Sequence, residues 1–117
     1  MNQVEEFISG IRFNAQGLVP VVAQDATSKE VLMVAWMNAE AIHLTIDSGW
    51  GTYFSRSRNK IWVKGEESGN RQSVRTLQAD CDQDTLLMSV DQSGSACHTG
   101  HGTCCTELPT MQWLPDP

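Results

Sequence analysis

The stretch Asp25-Ala26-Thr27-Ser28-Lys29-Glu30-Val31-Leu32-Met33-Val34-Ala35-Trp36-Met37-Asn38-Ala39-Glu40 decides the fold class. Its first six residues read as a hairpin loop, and the apolar run 31–37 as a strand buried on both faces. Asn38 is a good helix N-cap, Glu40 suits the first turn and Gly49 a helix end, so a helix is expected from about 39 to 48. Upstream, Val4, Phe7 and Ile8 have helical spacing and Gly10 can close a short first helix. Ile11–Phe13 and Leu18–Gln24 then read as strands joined by the turn Asn14-Ala15-Gln16-Gly17. Downstream, Trp50–Phe54, Lys60–Lys64, Ser73–Cys81 and Leu86–Val90 are strand candidates, and Gly65-Glu66-Glu67-Ser68-Gly69-Asn70 is a loop by composition. The pattern is that of a β-rich α+β domain with two short helices and about seven to eight strands.

With 117 residues and neither repeat nor linker, one domain over residues 1–117 is expected. Hydrophobic residues at 40% and charged residues at 19% match a globular chain rather than a disordered one. The run 31–37 falls far short of the ~20 apolar residues a membrane-spanning helix needs. Met1-Asn2-Gln3-Val4-Glu5-Glu6 has no basic region followed by an apolar stretch, so no secretory signal is expected and the location is read as cytoplasmic.

The net charge of −6 argues against a nucleic-acid partner, but it hides a segregation. Residues 56–75 hold Arg56, Arg58, Lys60, Lys64, Arg71 and Arg75 against only Glu66 and Glu67. From residue 76 onward there is no Lys or Arg, whereas Asp80, Asp82, Asp84, Asp91, Glu107 and Asp116 are all acidic. An anion-binding stretch is thus followed by a cation-binding one.

Asp80-Cys81-Asp82-Gln83-Asp84 leads into the apolar strand candidate at 86–90. Three carboxylates at i, i+2, i+4 on a strand project from one face and Cys81 from the other; the alternative is an acidic turn capping the strand. Three like charges so close repel one another unless a cation neutralises them, and an all-oxygen set suits a hard ion such as Mg²⁺ or Ca²⁺. An EF-hand is excluded, because its required glycine is Thr85 here. Cys81, Cys97 and Cys104, with His98 and His101 nearby, match zinc chemistry in a reducing compartment. Soft thiolates facing away from hard carboxylates point to two different metals. Three ligands would leave a position open for water, a fourth from His98 or His101 would close the site, and spacing does not choose between them.

Four stretches together resemble one family. Ser55-Arg56-Ser57-Arg58-Asn59-Lys60-Ile61-Trp62-Val63-Lys64-Gly65-Glu66-Glu67-Ser68-Gly69-Asn70 is similar to the SRSRxxxWxKGExSGN signature of phosphoribosyl-AMP cyclohydrolase. Asp80–Asp84 resembles that family's DCDxD motif, and Ala96-Cys97-His98-Thr99-Gly100 followed by Cys104 its ACHTG…C motif. Ala35-Trp36-Met37-Asn38-Ala39-Glu40-Ala41 is similar to its AYMNxEA segment. The resemblance implies hydrolytic opening of the purine ring of 1-(5-phosphoribosyl)-AMP, the third step of histidine biosynthesis, in an intertwined homodimer that uses Zn²⁺ and Mg²⁺. It implies Cys81, Cys97 and Cys104 as zinc ligands shared between subunits, Asp80, Asp82 and Asp84 as magnesium ligands, and His98 as a catalytic residue. Some members of that family carry a fused pyrophosphohydrolase domain after this one; with the sequence ending at Pro117, none is expected here. Two positions depart from the family pattern: His101-Gly102-Thr103 precedes Cys104, and Cys105 stands where phenylalanine is usual.

The chemistry agrees with that implication. Zinc can bring the pKa of a bound water to about 7, a hydroxide could then attack carbon 6 of the purine, and an imidazole can protonate the departing nitrogen. Arg56 and Arg58 offer planar, bidentate donors for the substrate's two phosphate monoesters. A zinc-dependent nucleobase deaminase needs H-x-E and P-C-x-x-C segments, and neither occurs. The alternative from another class is a non-catalytic zinc-stabilised nucleotide-binding module, which would have a closed zinc site and no turnover.

Overall fold

The computed structural model describes residues 2–94 and Met111, and these form two helices and six strands in an α+β arrangement. Asn2 opens helix α1 (Gln3–Ser9), its side chain accepting from the Glu5 N–H at 2.8 Å. Strand β1 (Val19–Asp25) turns into β2 (Val31–Met37) through a loop held by the Asp25 carboxylate, which accepts from the N–H groups of Thr27 and Ser28 at 3.0 and 2.7 Å. Those bonds, the Ser28 N–H above all, hold the Asp25 carboxyl below the usual carboxylate range. Helix α2 (Ala39–Ser48) starts at Asn38, whose side chain accepts from Ala41 N–H at 2.8 Å. It ends at Gly49, which takes the left-handed conformation (φ 79°) that glycine adopts without steric cost.

Strands β3 (Thr52–Ser55) and β4 (Lys60–Val63) form a separate antiparallel pair, and β5 (Gln72–Ala79) and β6 (Leu86–Gln92) complete the main sheet. The main sheet has the order β2-β1-β6-β5: two antiparallel hairpins joined side by side by parallel pairing of β1 with β6. The small sheet and α2 lie against its inner face, enclosing Val19, Val21, Met37, Ile42, Tyr53, Leu86, Met88 and Val90. Each fully buried large apolar side chain contributes roughly 1.5–3 kcal/mol. α1 buries none of its residues fully, although Phe7 and Ile8 rest half-buried on this core.

Three sequence expectations need correction. Ile11–Phe13 is not a strand, and the strand count among the described residues is six rather than seven to eight. Arg12 N–H makes one bond, to the Gln83 carbonyl, and the chain then enters a turn closed by Asn14, leaving no edge for a ladder to extend. Second, β2 is not buried on both faces, since Val34 is 62% exposed. It is an edge strand with cover on one side, and a bulge at Leu32 turns both Leu32 and Met33 inward. Third, β5 stops at Ala79, so Asp80 and Cys81 lie beyond the strand. Among the described residues no helix is long and apolar enough to cross a membrane.

Candidate active site

Residues 80–85 form the tight turn joining β5 to β6. The Asp80 N–H donates to the Thr85 carbonyl at 2.9 Å, and the Gln83 N–H donates to the Asp80 carbonyl at 3.0 Å. The Asp80 Oδ1 accepts from the N–H groups of Asp84 and Thr85 at 3.1 and 3.2 Å. Gln83 takes a left-handed φ of 62°, which reverses the chain. The expected alternation therefore fails, because a pleat exists only where a ladder holds the backbone extended, and aspartate is a poor strand former. The carboxylates of Asp80, Asp82 and Asp84 converge nonetheless, with one oxygen from each within 4.8 Å of the others, all exposed.

That spacing fits a hard cation. Oxygens on opposite sides of an ion lie about twice the metal–oxygen distance apart, ~4.2 Å for Mg²⁺ and ~4.6–5.2 Å for Ca²⁺. Asp80 uses Oδ1 to brace the turn and keeps Oδ2 for a ligand. Cys81 lies in the same turn as an exposed free thiol. The argument that it must face away from the carboxylates loses its basis with the strand. Cys97, His98, His101, Cys104 and Cys105 lie outside the described residues.

The basic stretch divides at the β3–β4 turn. The Arg56 guanidinium stacks on the Trp36 ring, 4.7 Å from its centroid, and forms no hydrogen bond or ion pair among the described residues. It lines a cavity of about 440 Å³ with Asn14, Gln16, Leu18, Phe54 and Asn59. Arg58 instead lines a cavity of about 340 Å³ bounded by Lys60, Trp62 and the 65–68 loop. Among the described residues the two cavities have no lining residue in common. Arg71 stacks on Trp50 at 5.1 Å, and Arg75 pairs with Asp91 on the surface.

Behind these groups lies a buried polar network that the sequence reading missed. The Tyr53 hydroxyl donates to Gln72 Oε1, and Gln72 Nε2 donates to Gln92 Oε1 at 3.0 Å. The Gln92 amide donates in turn to the carbonyls of Asn70 and Ser93, both at 2.9 Å. It thereby ties the end of the 65–70 loop to the end of β6, from which the chain runs toward Cys97. Gly94 belongs to this junction: its φ is 69°, and a Cβ there would collide with the Asn70 side chain. The sequence offered one signal, polar Gln72 and Gln92 flanking apolar strand residues.

Comparison with known proteins agrees with the motifs. A model of the phosphoribosyl-AMP cyclohydrolase family matches residues 33–106. The phosphoribosyl-AMP cyclohydrolase of Micrococcus luteus is 54% identical over 102 residues, covering 87% of this chain and 81% of the relative. That of Paracoccus denitrificans is 55% identical over 96 residues, covering 82% and 79%, and that of Nitrosospira multiformis 52% over 112 residues, covering 94% and 86%. With a family model matching residues 33–106 and relatives this similar over most of their length, the chain belongs to the phosphoribosyl-AMP cyclohydrolase family of enzymes.

Proposed function

We propose that the chain opens the purine ring of 1-(5-phosphoribosyl)-AMP, as the third step of histidine biosynthesis, using zinc and magnesium in a cytoplasmic homodimer. The observation that carries this reading is the 80–85 turn, in which three carboxylates converge and Cys81 is an exposed free thiol. Water adds its oxygen to carbon 6, the bond from carbon 6 to nitrogen 1 breaks, and nitrogen 1 takes a proton. Zinc, held by Cys81, Cys97 and Cys104, supplies the Lewis acidity that makes water nucleophilic at neutral pH. Asp80, Asp82 and Asp84 hold magnesium, His98 delivers the proton to nitrogen 1, and Arg56 and Arg58 bind phosphate.

A second copy of the chain would cover the outer face of the main sheet. Val34, Val22 and Leu87 stand in register across three neighbouring strands, with Val34 62% and Leu87 38% exposed. Such a row suits an interface, and it supports the reading of a homodimer.

The test is an absorbance assay of ring opening, with metal content measured on the same sample. The expected result is turnover with one zinc per subunit. A protein that binds nucleotide and zinc without turnover would be the non-catalytic binding module instead.

A further inference from the structure

We propose that Arg56 and Arg58 serve two different phosphates, and that the cavity Arg56 shares with Asn14, Gln16 and Asn59 is the subsite for one phosphorylated ribose unit. The inference rests on the substrate proposed above, which carries two such units, one in its AMP half and one in its phosphoribosyl half. A two-residue spacing in sequence favours a single clamp in which both guanidinium groups grip one phosphate. The fold argues otherwise, because the arginines line cavities that share no residue among those described.

The Arg56 cavity has the composition of a polyol-phosphate site. Among the described residues its lining holds one cation, three carboxamides, Leu18 and Phe54, and no acidic group. Its volume, about 440 Å³, lies in the range of small-molecule sites. The Trp36 ring supports the flat face of the guanidinium, so the N–H edge that grips a phosphate stays open. Asn14 is braced as well: its Oδ1 accepts from the Gln16 and Leu18 N–H groups at 2.9 and 3.0 Å. The amide N–H groups of Asn14, Gln16 and Asn59 donate to nothing among the described residues, leaving three donors for hydroxyl and phosphate oxygens. Of the two cavities that Arg58 lines, one has only Ser55 and Trp62 beside it among the described residues, and the other, bounded by the 65–68 loop, differs from the Arg56 cavity, since Glu66 and Glu67 offset its two cations. It is suited to an anion that brings its own hydroxyl donors or a metal ion.

The experiment measures binding of the two half-molecules, AMP and ribose 5-phosphate, to the full-length protein by calorimetry, and their inhibition of ring opening. Arg56→Met should weaken one half-molecule at least about 10-fold, the scale of a lost charge-assisted hydrogen bond, and leave the other within about twofold. Asn14→Asp keeps the Oδ1 acceptor that braces the turn but removes the amide donor, so it should weaken the same half-molecule as Arg56→Met. Arg58→Met should weaken the other one. If both arginine variants weaken the same half-molecule, or Arg56→Met weakens both equally or neither, the two-subsite assignment is overturned. Wild-type protein that binds neither half-molecule would overturn it too. Calorimetry does not depend on turnover, so failure of ring opening alone would count against the proposed reaction and not against the subsites.

Discussion

Replacing Tyr53 with Phe removes one oxygen from a hydrogen bond between two side chains that are both fully buried. The ring and its contact with Trp62, centroids 5.1 Å apart, can remain in place. What changes is Gln72 Oε1, whose one partner among the described residues is the Tyr53 hydroxyl. A buried acceptor left unsatisfied costs about 1–3 kcal/mol. With an unfolding entropy of about 2.1 cal/mol/K per residue, a chain of this size loses roughly 4 °C of Tm per kcal/mol, so a drop of about 4–12 °C is expected. Burial also pushes the phenol up from its usual value near 10, with the Gln72 hydrogen bond opposing only part of that shift. The folded chain therefore keeps a proton that the unfolded chain releases. Stability from this group is fully present below about pH 10 and falls by about 1.4 kcal/mol per pH unit above it, until the folded phenol itself titrates. Urea titrations of both proteins at neutral and alkaline pH measure the two effects, and Tyr53→Phe should lack the alkaline component. Because Tyr53 is the sole tyrosine, tyrosinate absorbance reads it directly and should rise only as the protein unfolds. A loss below about 0.5 kcal/mol at neutral pH, or tyrosinate forming near pH 10 with the fold intact, would refute the reasoning.

Changing Cys81, Cys97 or Cys104 to Ser should abolish activity and lower the zinc content, whereas Cys105→Ser should be mild; metal analysis of each purified variant checks this, and damage from Cys105→Ser equal to that from Cys104→Ser would move the ligand by one residue. Asp82→Asn removes one carboxylate from the trio and should raise the Mg²⁺ needed for half-maximal activity without removing zinc. Normal Mg²⁺ dependence combined with lost zinc would mean one shared site. Mixing inactive Cys81→Ser and Cys97→Ser proteins under subunit exchange should restore at most about a quarter of wild-type activity for random pairing in a two-fold dimer. No recovery despite demonstrated exchange would place all three ligands on one chain.

The readings that held rest on residues a few positions apart. Asn38 and Gly49 bracket α2 because a cap is satisfied within one turn of its own helix, and Asp25 shapes the β1–β2 loop from two and three residues away. The carboxylate trio belongs here too. Asp80, Asp82 and Asp84 are so near in sequence that a turn brings them together as readily as a strand would, so the cluster was legible although its geometry was not. Cys97, His98 and Cys104, read from zinc chemistry and from the motif, lie outside the described residues.

Tertiary structure decided whatever depends on partners distant in the chain. Val31–Met37 reads as doubly buried by composition, but α2 and the small sheet cover only the inner face of the main sheet, so Val34 on the outer face is exposed. Gln72 reads as a polar strand residue until the fold sets it against Tyr53, 19 residues earlier, and Met33, 39 residues earlier. The separation of Arg56 from Arg58 is of the same kind. Two positions apart in sequence, they are assigned to different cavities by Trp36 and Asn14 on one side and the 65–68 loop on the other. Local hydrogen bonds depend on neighbours that the sequence states outright, whereas burial, stacking and cavities depend on which distant segments the core brings together.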